Sequence, residues 1–129
     1  MTMTGSESKQ IVERYLNALS GHAKTPELVE RFVSDRHLAD HIRDVEAAFP
    51  QYELIPEGIV AERDVVAVRG QFKGVHRGTF AGIPATGRAV TAGLMIFYRL
   101  AGQRIAEHWM QFDGASLVAQ LQEAAAISL

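Results

Sequence analysis

The chain contains no cysteine, which excludes disulfides and thiolate metal sites. It has four prolines, one tryptophan and only 8% aromatic residues. No apolar run approaches the ~20 residues needed to span a bilayer. The opening MTMTGSESKQ is polar and lacks the apolar core of a secretory leader, so a cytoplasmic protein is expected. No charge of one sign dominates: 13 basic and 15 acidic residues are interspersed, giving −2. There is no basic stripe for nucleic acid and no cationic amphipathic helix for a membrane surface. What is present is 47% hydrophobic and 22% charged residues in 129, the composition of one globular domain with a real core.

Residues 1–6 read as a flexible tail and 7–129 as a single domain. From Glu7 to Ser20, Ile11, Val12, Tyr15, Leu16 and Leu19 recur at helical spacing, and Gly21 follows as a stop. Thr25 and Pro26 announce a second helix, with Leu28, Val29, Phe32 and Val33 as its apolar face. A third runs from Asp35 to Phe49 and ends at Pro50. The period then changes to two. Strands are expected at 52–62, 65–74, 89–99 and 104–113, with Pro56 marking an edge or a bulge. Residues 81–87, AGIPATG, form a loop, and 116–126 a closing helix. Helices first and hairpin-linked strands after give an α+β fold with a mostly antiparallel sheet. On the strand at 90–98, Val90, Leu94, Ile96 and Tyr98 face one way, Met95 and Phe97 the other. Both faces are apolar, so helices should cover one and a second subunit the other: a homodimer or higher oligomer.

The stretch EHWMQFDG, 107–114, carries the densest chemistry. Strict alternation places Ile105, Glu107, Trp109, Gln111 and Asp113 on one face, a polar set beside a large aromatic, as in a pocket wall. A carboxylate desolvated by an indole gains proton affinity and suits general acid/base work. The other reading makes Asp113 a cap of the closing helix. In HLADH, His37 and His41 are one helical turn apart, but the intervening acid is Asp and no third ligand is evident, so no metal is expected. His41 borders the apolar stripe and could stand at a pocket rim. Tyr15 could donate its hydroxyl into a cavity. Gln71 could face it too, while Arg69 on the same strand face is expected to pair with an acid such as Glu107. His76 between glycines reads as a residue that holds a turn.

AAFPQYEL, IVAERDVVAVRGQFKGVHRGTFAGIPATGRAV and IFYRLAGQRIAEHWMQFDGASLVAQL, in that order, resemble the SnoaL-like polyketide cyclase family. The resemblance implies the cone-shaped α+β fold of the nuclear transport factor 2 superfamily. N-terminal helices would pack into the concave face of a strongly curved sheet around a deep apolar cavity. It implies ring closure by intramolecular aldol condensation on a small apolar carbonyl compound, without cofactor or metal. Asp113 matches the family's acid/base aspartate, with His41 as a second catalytic candidate. Tyr15, Phe49, Gln71, Met95, Phe97, Trp109 and Gln111 are the candidate substrate-binding residues. Where many members carry an acid directly after the tryptophan, this chain has Met110. The alternatives are a non-catalytic binder of an apolar small molecule, or another acid/base enzyme such as an isomerase or dehydratase.

Overall fold

The computed structural model describes residues 3–127. Helix α1 (Gly5–Leu19) starts on a complete capping box: the Thr4 hydroxyl accepts from the Glu7 amide and the Glu7 carboxylate accepts from the Thr4 amide. Residues 5 and 6, expected in the tail, are therefore helical. The chain leaves α1 through Gly21, whose φ of 74° is a left-handed conformation that glycine adopts without strain. Helix α2 (Pro26–Phe32) begins on the Thr25 cap with proline in its first turn. Helix α3 (Arg36–Ala48) begins on Asp35, whose carboxylate accepts from the His37 and Leu38 amides. No helix among the described residues is long and apolar enough to cross a membrane.

Four strands follow, β1 (Glu53–Glu62), β2 (Val65–Val75), β3 (Ala89–Ala101) and β4 (Arg104–Phe112). They form one antiparallel sheet in sequence order. β1 lies at an edge, and its register shifts between Pro56 and Gly58, as a proline without an amide proton requires. The β3–β4 hairpin turns at Gly102 and Gln103, both at positive φ (59° and 65°), as two-residue hairpin loops demand. Helix α4 (Gly114–Ile127) returns along β3. Past the end of β4 the Gln120 carboxamide covers the open edge of β3, bonding both backbone groups of Thr91.

The sheet is curved, and the helices pack against one face. That face carries the alternating residues of β3, Val90, Ala92, Leu94, Ile96, Tyr98 and Leu100, all buried. They meet Ile11, Tyr15 and Leu19 from α1 and Leu38 and Ile42 from α3 in one core. The opposite, outer face leaves Met95 60%, Phe97 52% and Trp109 54% exposed.

One irregularity decides what faces inward from β4. Arg99 pairs with Glu107, but Leu100 pairs with Ile105, so Ala106 has no partner and bulges. Before the bulge Ile105 points into the core; after it, the inward set is His108, Met110 and Phe112. Glu107, Trp109 and Gln111 point outward and are exposed. The expectation that they share the face of Ile105 is overturned, because one extra residue inverts every later side chain.

Candidate functional site

The concave face encloses an apolar cavity of ≈ 60 Å³. It is smaller than the deep cavity the resemblance implies, because side chains fill most of the space between the curved sheet and the helices. An engineered cavity of about 150 Å³ accepts benzene, so this void holds a smaller fragment unless its walls move. The lining mixes aromatic rings with aliphatic side chains, and α3, β3 and β4 contribute Val45, Leu94, Ile96 and Met110 to it. Its polar groups are few: the hydroxyls of Tyr15, Tyr52 and Tyr98 and the imidazole of His41.

Each arrives by a local rule. Tyr15 belongs to the buried stripe of α1, and His41 lies half-buried beside the stripe of α3. Tyr98 belongs to the inward set of β3. Phe49 ends α3, with its amide donating to the Val45 carbonyl, and its fully buried ring closes the wall. Burial pushes all three tyrosine hydroxyls above the ordinary range, so they remain protonated donors. Burial also lowers the proton affinity of His41; a positive charge on nearby His108 adds to this, and Asp44 opposes it.

His108 is a residue that alternation misplaces. Its Nδ1 lies 2.8 Å from Asp35 Oδ2, with both side chains largely buried. Asp35 thus serves twice, capping α3 with one oxygen and orienting the imidazole with the other. Burial pushes the Asp35 carboxyl up, but hydrogen bonds from His108 and from the Leu38 and His37 amides outweigh it and hold it below the usual range. The signal in the sequence was an N-cap aspartate before α3 and a histidine inside the chemistry-bearing motif. The bulge that brings them together was not visible.

Of the residues singled out from the sequence, Tyr15, His41 and Phe49 meet at the concave cavity. Phe97 and Trp109 do not; they lie side by side on the outer face. Gln71, Met95, Gln111 and Asp113 are also brought together there, around an open depression of ≈ 360 Å³. Asp113 is exposed rather than enclosed against Trp109. Its Oδ1 accepts from the Ser116 amide 3.0 Å away, and its carbonyl accepts from the Leu117 amide, so it starts α4 as a cap. Arg69 pairs with Glu57, not with Glu107, which pairs with Arg99. His76 is fully buried and accepts from the Thr86 amide at 3.2 Å, tying the end of β2 to the loop. Among the described residues no group of three His, Asp or Glu is placed to hold a metal.

The sequence profile of the SnoaL-like polyketide cyclases matches residues 9–121. The chain belongs to the SnoaL-like polyketide cyclase family. No protein of curated function matches it. Among solved structures, this SnoaL-like chain resembles TsrD from Streptomyces laurentii, at 25% identity and a TM-score of 0.75 over 90% of this chain and 95% of that one. It resembles a SnoaL-like polyketide cyclase of Agrobacterium tumefaciens at 22% and 0.72, covering 88% and 97%. It also resembles an LEH-like epoxide hydrolase of M. tuberculosis at 17% and 0.68, covering 95% and 94%. At these identities the last two share the fold, yet one is named a cyclase and the other an epoxide hydrolase, so the fold does not choose the reaction.

The neutral His41 has a measurable consequence. Its lowered proton affinity means the unfolded chain binds more protons than the folded one below the ordinary value of 6.5. Stability present above that value is lost as pH falls through the lowered one. Urea midpoints measured from about pH 7.5 down to about pH 5 should therefore decline, and His41→Gln should flatten that decline. An unchanged slope in the variant would remove His41 from the explanation.

Proposed function

We propose that this SnoaL-like chain is a cofactor-independent acid/base enzyme acting on a small apolar carbonyl compound. The concave cavity holds the reacting part of the molecule, and His41 moves the proton. The observation that supports this is that, among the described lining residues, His41 alone carries an imidazole, and burial lowers its proton affinity and so favours the uncharged form that can accept a proton. Its imidazole nitrogen removes a proton from the carbon between two carbonyls. The resulting enolate carbon attacks a second carbonyl carbon of the same molecule and forms the new ring bond. The imidazolium then returns its proton to the alkoxide. Holding both ends of one chain in a confined space supplies much of the acceleration. Met110, an unbranched side chain in the wall, is the residue best able to make room.

The Asp113 carboxylate is the competing base, favoured by the family resemblance. From its position as a cap of α4 it would serve the outer depression rather than the concave cavity. Deuterium exchange at the α-carbons of small ketones separates the two. Wild-type protein should accelerate exchange, and His41→Gln should lower the rate by about a hundredfold or more. Thermal stabilisation by the ketone should survive in that variant, and Asp113→Asn should exchange normally. Loss in Asp113→Asn alone would move the base to Asp113. Ligand stabilisation without exchange in wild type would make the chain a binding protein.

We propose further that a second copy of the chain covers the outer sheet face. Val60, Ala67, Phe97 and Trp109 lie in one cross-strand row there. The ion pairs Arg69–Glu57 and Arg99–Glu107 present both charge signs around it. Such a face can meet its own copy across a two-fold axis, where each charge finds its opposite.

A further inference from the structure

We infer that Tyr15 and Tyr98 together form a two-hydroxyl receptor for the carbonyl oxygen of the ligand. This rests on the concave cavity being the ligand site. Tyr98 is 0% exposed and its Oη is buried; the Tyr15 hydroxyl is the one side-chain group within its reach, and no other partner is placed to satisfy it among the described residues. Leaving a buried hydroxyl unpaired costs about 1–3 kcal/mol, and buried phenols usually find a partner. Tyr15 stands beside it, buried as well, with the two rings edge to face at 5.7 Å and 73°.

Counting protons shows what the pair lacks. Each hydroxyl carries one proton and can accept as well. If one donates to the other, one proton is used and one is left over. If neither does, two are left over. Either way the pair is a net donor. Around it Leu94, Ile96 and Met110 offer no side-chain acceptor, Tyr52 is a third hydroxyl that brings its own proton, and the His41 imidazole makes no hydrogen bond to either tyrosine among the described residues. The missing acceptor is therefore one that a bound molecule brings.

The chemistry of that acceptor is constrained. Among the described residues the cavity lining has no lysine or arginine, so a phosphate or carboxylate would enter stripped of water and without a counter-charge. A ligand hydroxyl brings a further proton to a place already rich in donors. A ketone oxygen accepts without donating, and its carbon skeleton suits the apolar walls. When the neighbouring carbon loses a proton, that oxygen gains charge, and donors already in place stabilise the enolate more than the ketone. Tyr15 comes from α1 and Tyr98 from β3, elements fixed by the core, so the donors need little reorganisation.

The test compares butanone, labelled with carbon-13 at the carbonyl, with 2-methylbut-1-ene, which replaces the oxygen by a methylene of similar shape. Both are titrated by NMR into wild type and into Tyr98→Phe and Tyr15→Phe, which keep the rings. Wild type should bind the ketone with a downfield shift of the carbonyl carbon. Tyr98→Phe should lose that shift and bind the ketone about tenfold more weakly. Its alkene affinity should be unchanged or higher. Tyr15→Phe should reduce the shift. Equal losses for ketone and alkene, or a shift that persists in both variants, would overturn the receptor while leaving the cavity as a binding site. Failure of wild type to bind either compound would overturn the receptor and the cavity reading together.

Discussion

Replacing Phe49 by alanine should lower the unfolding free energy by about 3–5 kcal/mol. The ring is 0% exposed and meets three others: Phe72 at 5.2 Å, His76 at 5.3 Å and Phe80 at 5.3 Å between centroids. It joins the end of α3, strand β2 and the loop after it. It also stands against Gly74, where a Cβ would lie 3.0 Å from Phe49 Cβ, so the backbone has closed tightly around this side chain. Truncation removes transfer free energy and leaves a void that rigid neighbours fill only in part. For a domain of this size the melting temperature should fall by about 10 °C or more. The void would adjoin the concave cavity, which Phe49 lines. The variant should therefore gain more stability than wild type does from an added apolar compound such as benzene. Phe49→Leu, which retains more of the volume, should lose less. A loss below about 1 kcal/mol in the alanine variant would show that the site collapses freely, contrary to this packing.

The second large effect is expected on the outer face. Phe97→Glu should turn a dimer into a monomer with unchanged circular dichroism. Phe97 is already half-exposed in the single chain, so a carboxylate there costs little folding stability. Across a two-fold axis the substitution acts twice, and two buried carboxylates meet in one apolar patch. Central aromatic positions are worth about 2 kcal/mol or more each. Two of them give about 4 kcal/mol, roughly a thousandfold in dissociation constant. Light scattering after gel filtration reads the mass directly. Trp109→Glu should behave alike, since Trp109 pairs directly with Phe97 on the neighbouring strand. A wild-type chain that is monomeric at high concentration would refute the arrangement. So would a variant that unfolds instead of dissociating.

The helices were legible because their signals are local. Thr25 before Pro26, and Asp35 before the α3 stripe, state a start, and Gly21 and Pro50 state an end, without reference to the rest of the chain. The same holds for the alternation of β3, where Val90 to Tyr98 face inward with no irregularity. Tyr15, His41 and Phe49 reached the cavity because each lies on, beside or at the end of such a stripe. Gln71, Met95, Phe97, Trp109, Gln111 and Asp113 did not. Period two says that two sets exist on a strand, but it does not say which of them meets the helices.

In β4 even the sets were misassigned. A bulge is a relation between two strands, and nothing in RIAEHWMQFD marks Ala106 as the residue without a partner. Only the pairing of Ile105 with Leu100, held while Glu107 pairs with Arg99, reveals it. That shift turns His108 inward to Asp35 and leaves Trp109 and Asp113 outside. The amino-acid sequence by itself determined the elements, their order and the family, because caps, periodicity and motif act over short distances. Tertiary structure alone decided which groups share a cavity, because one unpaired residue reverses a strand's faces and the hydroxyls that converge there, on Tyr15, Tyr52 and Tyr98, are far apart along the chain.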